Sequence, residues 1–319
     1  MDEYPRNPTR IVIVGAGFVG ATFAYSLLLS GLAAEIVLVD NNMDKAMGEA
    51  MDLNHAIPMA RPTRLWAGSF SDCVGAAVTV IAAGAAQKPG ETRLDLVSRN
   101  VAILRQIIPQ VVQNNPRGLI LIATNPVDVL SYAAWKISGL PSGRVIGSGT
   151  ILDTARFRYL LSQHFGVDAR SIHAYIIGEH GDSEVPVWSL ANIAGMRLLD
   201  YCAAHNLGCD EEKRAGIFQQ TRDAAYEIIK RKGVTNFAIA SGLTRIIEAI
   251  LRDQNTVLTI SSLIHDFYGI KDVYLSIPSV IDSSGVKGTL RLILDEREVS
   301  GLQHSATVLK SYLEKLGSL

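Results

Sequence analysis

The chain is short of cysteine, short of aromatics and almost without net charge, and each shortage excludes something. Three cysteines, Cys73, Cys202 and Cys209, form no CxxC pair and no Cys/His cluster with metal-ligand spacing. The expectation is therefore no metal and three reduced thiols in a reducing cytoplasm. Aromatics make up only 7% while glycines number 27, which fits an α/β enzyme better than an all-β sandwich. Thirty Lys+Arg face 31 Asp+Glu, a balance that supports neither a nucleic-acid groove nor a polybasic membrane anchor. Internal repeats and low-complexity tracts are also missing. With 48% apolar and 19% charged residues the chain can bury a large core, which excludes disorder.

One stretch, 11–34, lacks charge altogether and is long enough to span a bilayer. Gly15, Gly17, Gly20 and Gly31 interrupt it, and it passes from a β-branched start to a helical pattern. The opening Met1-Asp2-Glu3 is not the cationic start of a signal peptide. No membrane association is expected.

The 319 residues suggest about two domains as a length prior. In the first half, short apolar runs at 11–14, 36–39, 78–82, 119–123 and 144–146 read as buried parallel strands. Helical patterns at 19–29, 43–56, 94–113 and 127–137 separate them. Such alternation builds a doubly wound parallel sheet, because parallel strands need long crossovers. Beyond Gly149 the character changes. Helices are expected at 151–165, 211–230 and 235–251, strands at 257–263, 273–281 and 288–293, and a closing helix from 298. The expected division is 1–148 for the first domain and 149–319 for an α+β domain. With no flexible linker, a site should lie between them.

Gly15-Ala16-Gly17-Phe18-Val19-Gly20 follows a predicted strand and opens a predicted helix. Gly15 permits the tight turn, Gly17 lets a pyrophosphate approach the backbone, and Gly20 lets helix and strand pack closely. The helix N-terminus then offers free N–H groups to the phosphates. Asp40 stands twenty residues beyond Gly20 at the end of the second predicted strand. There a carboxylate can hydrogen-bond an adenosine ribose and would repel a 2′-phosphate, so NAD is favoured over NADP. The alternative is a glycine turn beside a surface Asp. The fold class is α/β, a Rossmann-type doubly wound sheet followed by an α+β substrate domain.

Four further segments complete a pattern: AAGAAQKPGETR at 82–93, TNPVD at 124–128, DTARFR at 153–158 and GEHGD at 178–182. In order and spacing, together with the glycine loop, they resemble the L-lactate/malate dehydrogenase family over nearly the whole chain, and its bacterial lactate-forming branch in particular. The resemblance implies an NAD-dependent dehydrogenase that interconverts pyruvate and L-lactate. Reducing a 2-keto acid needs a proton donor, a carboxylate clamp and a group that polarises the carbonyl. His180 suits the first role, because an imidazole holds both protonation states near working pH. The glycines Gly178 and Gly181 beside it would let a ligand approach. Asp153 is its orienting partner by resemblance. Arg156, three residues on, shares a helix face with Asp153 and can grip a carboxylate with two parallel hydrogen bonds. A plain ion pair along the helix is the alternative.

The resemblance also gives Arg93 the polarising role, against a solvated arginine on a surface loop, and places Asn125 at the substrate oxygen and cofactor, with a cis bond to Pro126. It puts Thr235 in the substrate pocket and Ile239 beside the nicotinamide, with helix packing as the alternative for both. Asn236 departs from the commoner aromatic or Ser. Gln87 stands where malate-specific relatives usually carry Arg. A second substrate carboxylate would lack a cation there, which favours pyruvate over oxaloacetate, although Lys88 is adjacent. A malate dehydrogenase of similar type, a dehydrogenase for larger 2-hydroxy acids and a non-enzymatic NAD sensor are the competing readings. Arg158 lies about 200° around the helix from Arg156, and with His173 it matches the effector site of allosteric relatives. That implies fructose 1,6-bisphosphate bound across a dimer interface of a homotetramer. An interface salt bridge and an ordinary histidine are the alternative.

Overall fold

Alternation within strand β1 (Asn7–Val14) organises the molecule. Successive side chains point to opposite faces, so Ile11 and Ile13 join one core while Val12 and Val14 join another. The computed structural model describes residues 7–85, 90 and 92–317. Strands β2 (Glu35–Val39) and β4 (Ala76–Ile81) flank β1 in parallel, pairing Val12 with Val37 on one side and Thr79 on the other. With β3 (Arg64–Ala67), β5 (Leu119–Ile122) and β6 (Val145–Gly147) they give the parallel order β3-β2-β1-β4-β5-β6. Helices α1 (Phe18–Ser30), α2 (Met43–Ala56), α3 (Arg93–Asn114) and α4 (Val127–Ser138) are the crossovers. This is the doubly wound Rossmann sheet expected.

The sheet does not stop at β6. Strand β10 (Thr256–Ile264) pairs antiparallel with it at Ser261 and Gly147, and β11 (Val273–Asp282) and β12 (Gly285–Thr289) extend it to nine strands. Helix α8 (Phe237–Leu251) shares a core with α1 and α2 on one face. Helix α9 (Glu296–Leu316) shares the other with α3 and α4. A third core lies between α5 (Ile151–Phe165), the sheet of β7 (Ile172–Ile177), β8 (Val185–Ile193) and β9 (Met196–Arg197), α6 (Leu198–His205) and α7 (Glu211–Lys232).

Helices α2 and α5 match the predicted bounds. Strands β3, β7, β8 and β9 and helix α6 were not foreseen. β3 is a four-residue strand whose burial is incomplete, and β8 is buried only in patches, so neither carries a clean apolar period. Helix α8 begins at Phe237, which leaves Thr235 in the preceding turn. The last strand ends at Thr289 rather than reaching 293. Asn125–Pro126 is cis, as the resemblance implied.

The cysteine expectation needs correcting, because Cys202 and Cys209 form a disulfide. Asn206 caps α6 in the left-handed region and Leu207 N–H donates to the Cys202 carbonyl, so the chain doubles back and returns Cys209 to Cys202. Only Cys73 is a free thiol, and burial pushes it up to about 11. The cysteines therefore no longer speak for a reducing compartment. The uncharged run 11–34 is divided between β1, α1 and the approach to β2. Among the described residues no helix is long and apolar enough to cross a membrane.

Candidate active site

At the C-terminal ends of β1, β2 and β4 a groove opens, lined by Gly15, Gly17, Asp40, Lys45, Ala83 and Ile107 among others. Gly15 has φ +107°, and a Cβ there would lie 2.5 Å from the Ala83 nitrogen. At Gly20 a Cβ would fall 1.9 Å from the Gly15 carbonyl oxygen, so only glycine lets α1 start this close to β1. Gly17 differs: a Cβ would meet only Lys45 Nζ, at 4.0 Å. Its surface faces open space, as a cradle for a bulky anion requires. Gly17 is the N-cap of α1, so the first backbone N–H groups of the helix, from Phe18 and Val19, are the ones a helix start leaves for a ligand. The Phe18 side chain points outward at 72% exposure, and Val19 packs against the core. Any contribution they make to a ligand is through backbone. Asp40 accepts hydrogen bonds from Ala16 N–H (2.7 Å) and Asn42 N–H (2.9 Å). These hold the carboxylate at the mouth of the groove. The groove fits a dinucleotide with an anionic centre.

A second cavity gathers Arg93, Asn125, Asp153, Arg156 and His180. They arrive on four supports, with Asp153 and Arg156 sharing one. Thr92 and Asp95 form a reciprocal cap at the start of α3, which sets Arg93 in its first turn. Asn100 of α3 donates to the Asn125 carbonyl (3.0 Å). Asp153 and Arg156 occupy adjacent turns of α5. His180 follows β7, and its backbone N–H donates to the buried Asp128 carboxylate (2.8 Å). Burial pushes Asp128 up to about 6.

The centre of the cluster is the Asp153 carboxylate. One oxygen lies 2.5 Å from His180 Nδ1, and the other accepts from Arg156 Nη1 at 2.9 Å. Burial is the largest influence on Asp153 and would raise it, but His180 and Arg156 hold it below the ordinary carboxylate range. For His180 burial opposes the charged ring. Asp153, with help from Asp128 and Glu184, outweighs it and raises the imidazole to about 9. At neutral pH the ring is therefore an imidazolium with Nδ1–H directed at Asp153. Its side chain keeps 22% exposure, so the cavity is open to a reactant.

Arg93 Nη2 lies 2.8 Å from Glu179 Oε1, and Nη1 lies 3.6 Å from Asp182. The glycines beside His180 sit close to neighbouring side chains. A Cβ at Gly181 would sit 2.7 Å from Arg93 Nη2, and one at Gly178, with φ +91°, 2.8 Å from Ser305 Oγ.

The remaining expected residues lie apart from this cavity or beyond description. Gln87 and Lys88 fall outside the described residues. Thr235 is half-buried in the turn before α8, and Ile239 packs on the core; neither lines the cavity. Asn236 has a structural reason. It is buried, donates to Thr22 Oγ1 (2.9 Å) and accepts from Lys232 Nζ (2.7 Å), which pins α8 to α1. Arg158 Nε donates to the Ala174 carbonyl (2.9 Å), and its guanidinium lies 5.4 Å from the Tyr175 ring centre. Burial lowers its pKa. His173, the residue before Ala174, is exposed. Among the described residues no group of three His, Cys, Asp or Glu is arranged for a metal.

Sequence reasoning missed Glu184, Arg222, Ala225, Tyr226 and Ile229, which also line the cavity. The last four recur at 222, 225, 226 and 229, the spacing of one helix face. Tyr226 donates to Asp182 Oδ1 (2.9 Å), tying α7 to the His180 loop.

Comparison with known proteins covers nearly the whole chain. The family models for the lactate/malate dehydrogenase NAD binding domain and alpha/beta C-terminal domain match residues 9–147 and 150–318. The chain is 50% identical to L-lactate dehydrogenase 1 of Clostridium acetobutylicum, across 98% of this chain and 99% of that protein. It is 52% identical to L-lactate dehydrogenase of Moorella thermoacetica, across 98% of each. Among solved structures, a lactate dehydrogenase from a Medee basin deep-sea metagenome library superposes with a TM-score of 0.95 at 44% identity, covering 97% of this chain and 99% of that one. The minor L-lactate dehydrogenase of Enterococcus mundtii gives 0.93 at 40%, covering 98% of each.

Proposed function

The chain belongs to the lactate/malate dehydrogenase family, and from that premise we propose that it is an NAD-dependent enzyme that interconverts pyruvate and L-lactate. The observation that carries the chemistry is the single Asp153 carboxylate shared by His180 and Arg156 in an open cavity. It sets a proton donor beside a carboxylate clamp, the pair that a 2-keto acid requires.

Gly15, Gly17 and Gly20, the backbone N–H groups of Phe18 and Val19, and Asp40 hold NAD, with Asn125 and Ile239 toward its nicotinamide. When bound as NADH, the cofactor supplies the hydride. Arg156 receives the substrate carboxylate with its second nitrogen edge. His180 gives its proton to the keto oxygen, while Asp153 keeps the ring oriented and stabilises its charge. Arg93 leaves Glu179 to polarise the carbonyl, beside Asn125. By resemblance to the family, Gln87 and Thr235 are assigned to selection of the substrate side chain. The boundary between cofactor and substrate domains is at 148/149. We place the enzyme in a cytoplasmic, fermentative setting as a homotetramer, with fructose 1,6-bisphosphate as effector at Arg158 and His173. The guanidinium anchored on Ala174 next to the exposed His173 supports that site.

The test is NADH oxidation with pyruvate, oxaloacetate and 2-ketoisocaproate side by side. Pyruvate should give the highest kcat/KM. Preference for oxaloacetate would make it a malate enzyme, and turnover on none would leave only cofactor binding.

A further inference from the structure

Glu184 precedes β8 and lies four residues after His180. Only 6% of it is exposed, and its Oε1 is buried without a hydrogen-bond partner among the described residues. It lines the substrate cavity. Such an oxygen is costly as part of a carboxylate and far less so as part of a neutral acid. Asp153 and Arg156 act on it from α5, His180 from its own loop and Arg222 from α7. Arg93, Asp182 and Tyr226 line the same cavity. Asp153 is already ionised between two cations, so the cavity holds one carboxylate comfortably and resists a second.

We infer that Glu184 is a second proton-carrying group of the substrate cavity, neutral when the keto-acid anion binds and, once ionised, opposed to that binding. This rests on the keto-acid reduction proposed above. Burial, and then the charge of Asp153, push Glu184 up to about 8, against the pull of His180, Arg156 and Arg222. A substrate carboxylate that docks on Arg156 would then meet a like charge above that pH. Ionised Glu184 also helps raise His180, so the ring loses its proton only toward about 9, above the range in which Glu184 does. The consequence falls on substrate binding before it falls on the chemical step.

The test is the pH dependence of pyruvate KM and kcat in wild type, Glu184→Gln and Glu184→Asp. In wild type, KM should rise about tenfold between about pH 7 and about pH 9, ahead of any comparable fall in kcat. In Glu184→Gln the rise should shrink to about twofold, the share of His180 alone, and Glu184→Asp should restore a steep rise. Superimposable KM curves for wild type and Glu184→Gln would overturn the inference, whereas absence of turnover on any keto acid would overturn the reaction itself. Proton uptake by wild-type enzyme needs no variant. Calorimetric titration of the NADH-loaded enzyme with oxamate, an unreactive pyruvate analogue, should take up more than one proton per site near about pH 9 in a pair of buffers of different ionisation heat. One proton or fewer would overturn the inference.

Discussion

The carboxylate of Asp153 serves two cations at once, and the two jobs are linked through it. Its charge keeps His180 protonated and also aims Arg156. His180→Gln should lower kcat/KM for pyruvate about 10²–10⁴-fold, while fluorescence titration still reports NADH binding. Near-wild-type turnover would remove His180 from the reaction. The pH dependence has a definite sign. Keto-acid reduction uses the imidazolium and should fall as pH rises through about 9, whereas lactate oxidation uses the neutral ring and should rise through the same range. Initial rates in both directions across pH 6–10, an interval chosen to span about three units below that value and one above, check it. The same shift bears on folding. A histidine raised above its unfolded value near about 6.5 adds stability below that pH and loses it as pH climbs toward 9. His180 and Arg156 were legible in the sequence because their motifs are local. The meeting of His180 with Asp153, 27 residues away, was available only through resemblance. Glu184 escaped because nothing in its neighbours announces that its oxygen is buried without a partner.

Elements carried by one strong period were the readable ones. The unbroken apolar runs of β2 and β5 give buried parallel strands, and α2 and α5 have clear ends, at the Asn42 cap of α2 and at Gly166 after α5. Strands β7 to β9 were opaque because they mix inward and outward positions in a small separate sheet. The start of α8 depends on a tertiary contact rather than a local signal. Asn236 holds it to α1 through Thr22 and to α7 through Lys232. Asn236→Ala leaves those partners without it and should cost about 1–3 kcal/mol. A lowered urea midpoint with an unchanged slope would show it; an unchanged midpoint would mean that α8 is held by apolar packing alone.

On the scale of the whole molecule, the effector proposal turns on assembly. Light scattering at micromolar concentration should give the mass of a tetramer, and a monomer would refute it. Two-fold symmetry would bring copies of Arg158 together beside His173, and the repulsion between the guanidiniums would be relieved by a bisphosphate. Millimolar fructose 1,6-bisphosphate should then lower the pyruvate concentration needed for half-maximal rate, and should not do so in Arg158→Gln. Coincident curves with and without effector in wild type at mildly acidic to neutral pH would reject the site. Neither assembly nor effector is written in composition; a half-buried Arg158 beside an exposed His173 acquires meaning only from what docks there.

The two large cores lie on opposite faces of one sheet, and each takes side chains from both halves of the chain: Ile11 with Ile246 and Ile260, Val12 with Leu275 and Leu302. Neither half can shed the other without baring apolar surface on both sides. Melting should accordingly be concerted. Scanning calorimetry of the protein should record a single endotherm, although two family domains are matched, and residues 1–148 expressed alone should behave as a sticky, incompletely ordered fragment.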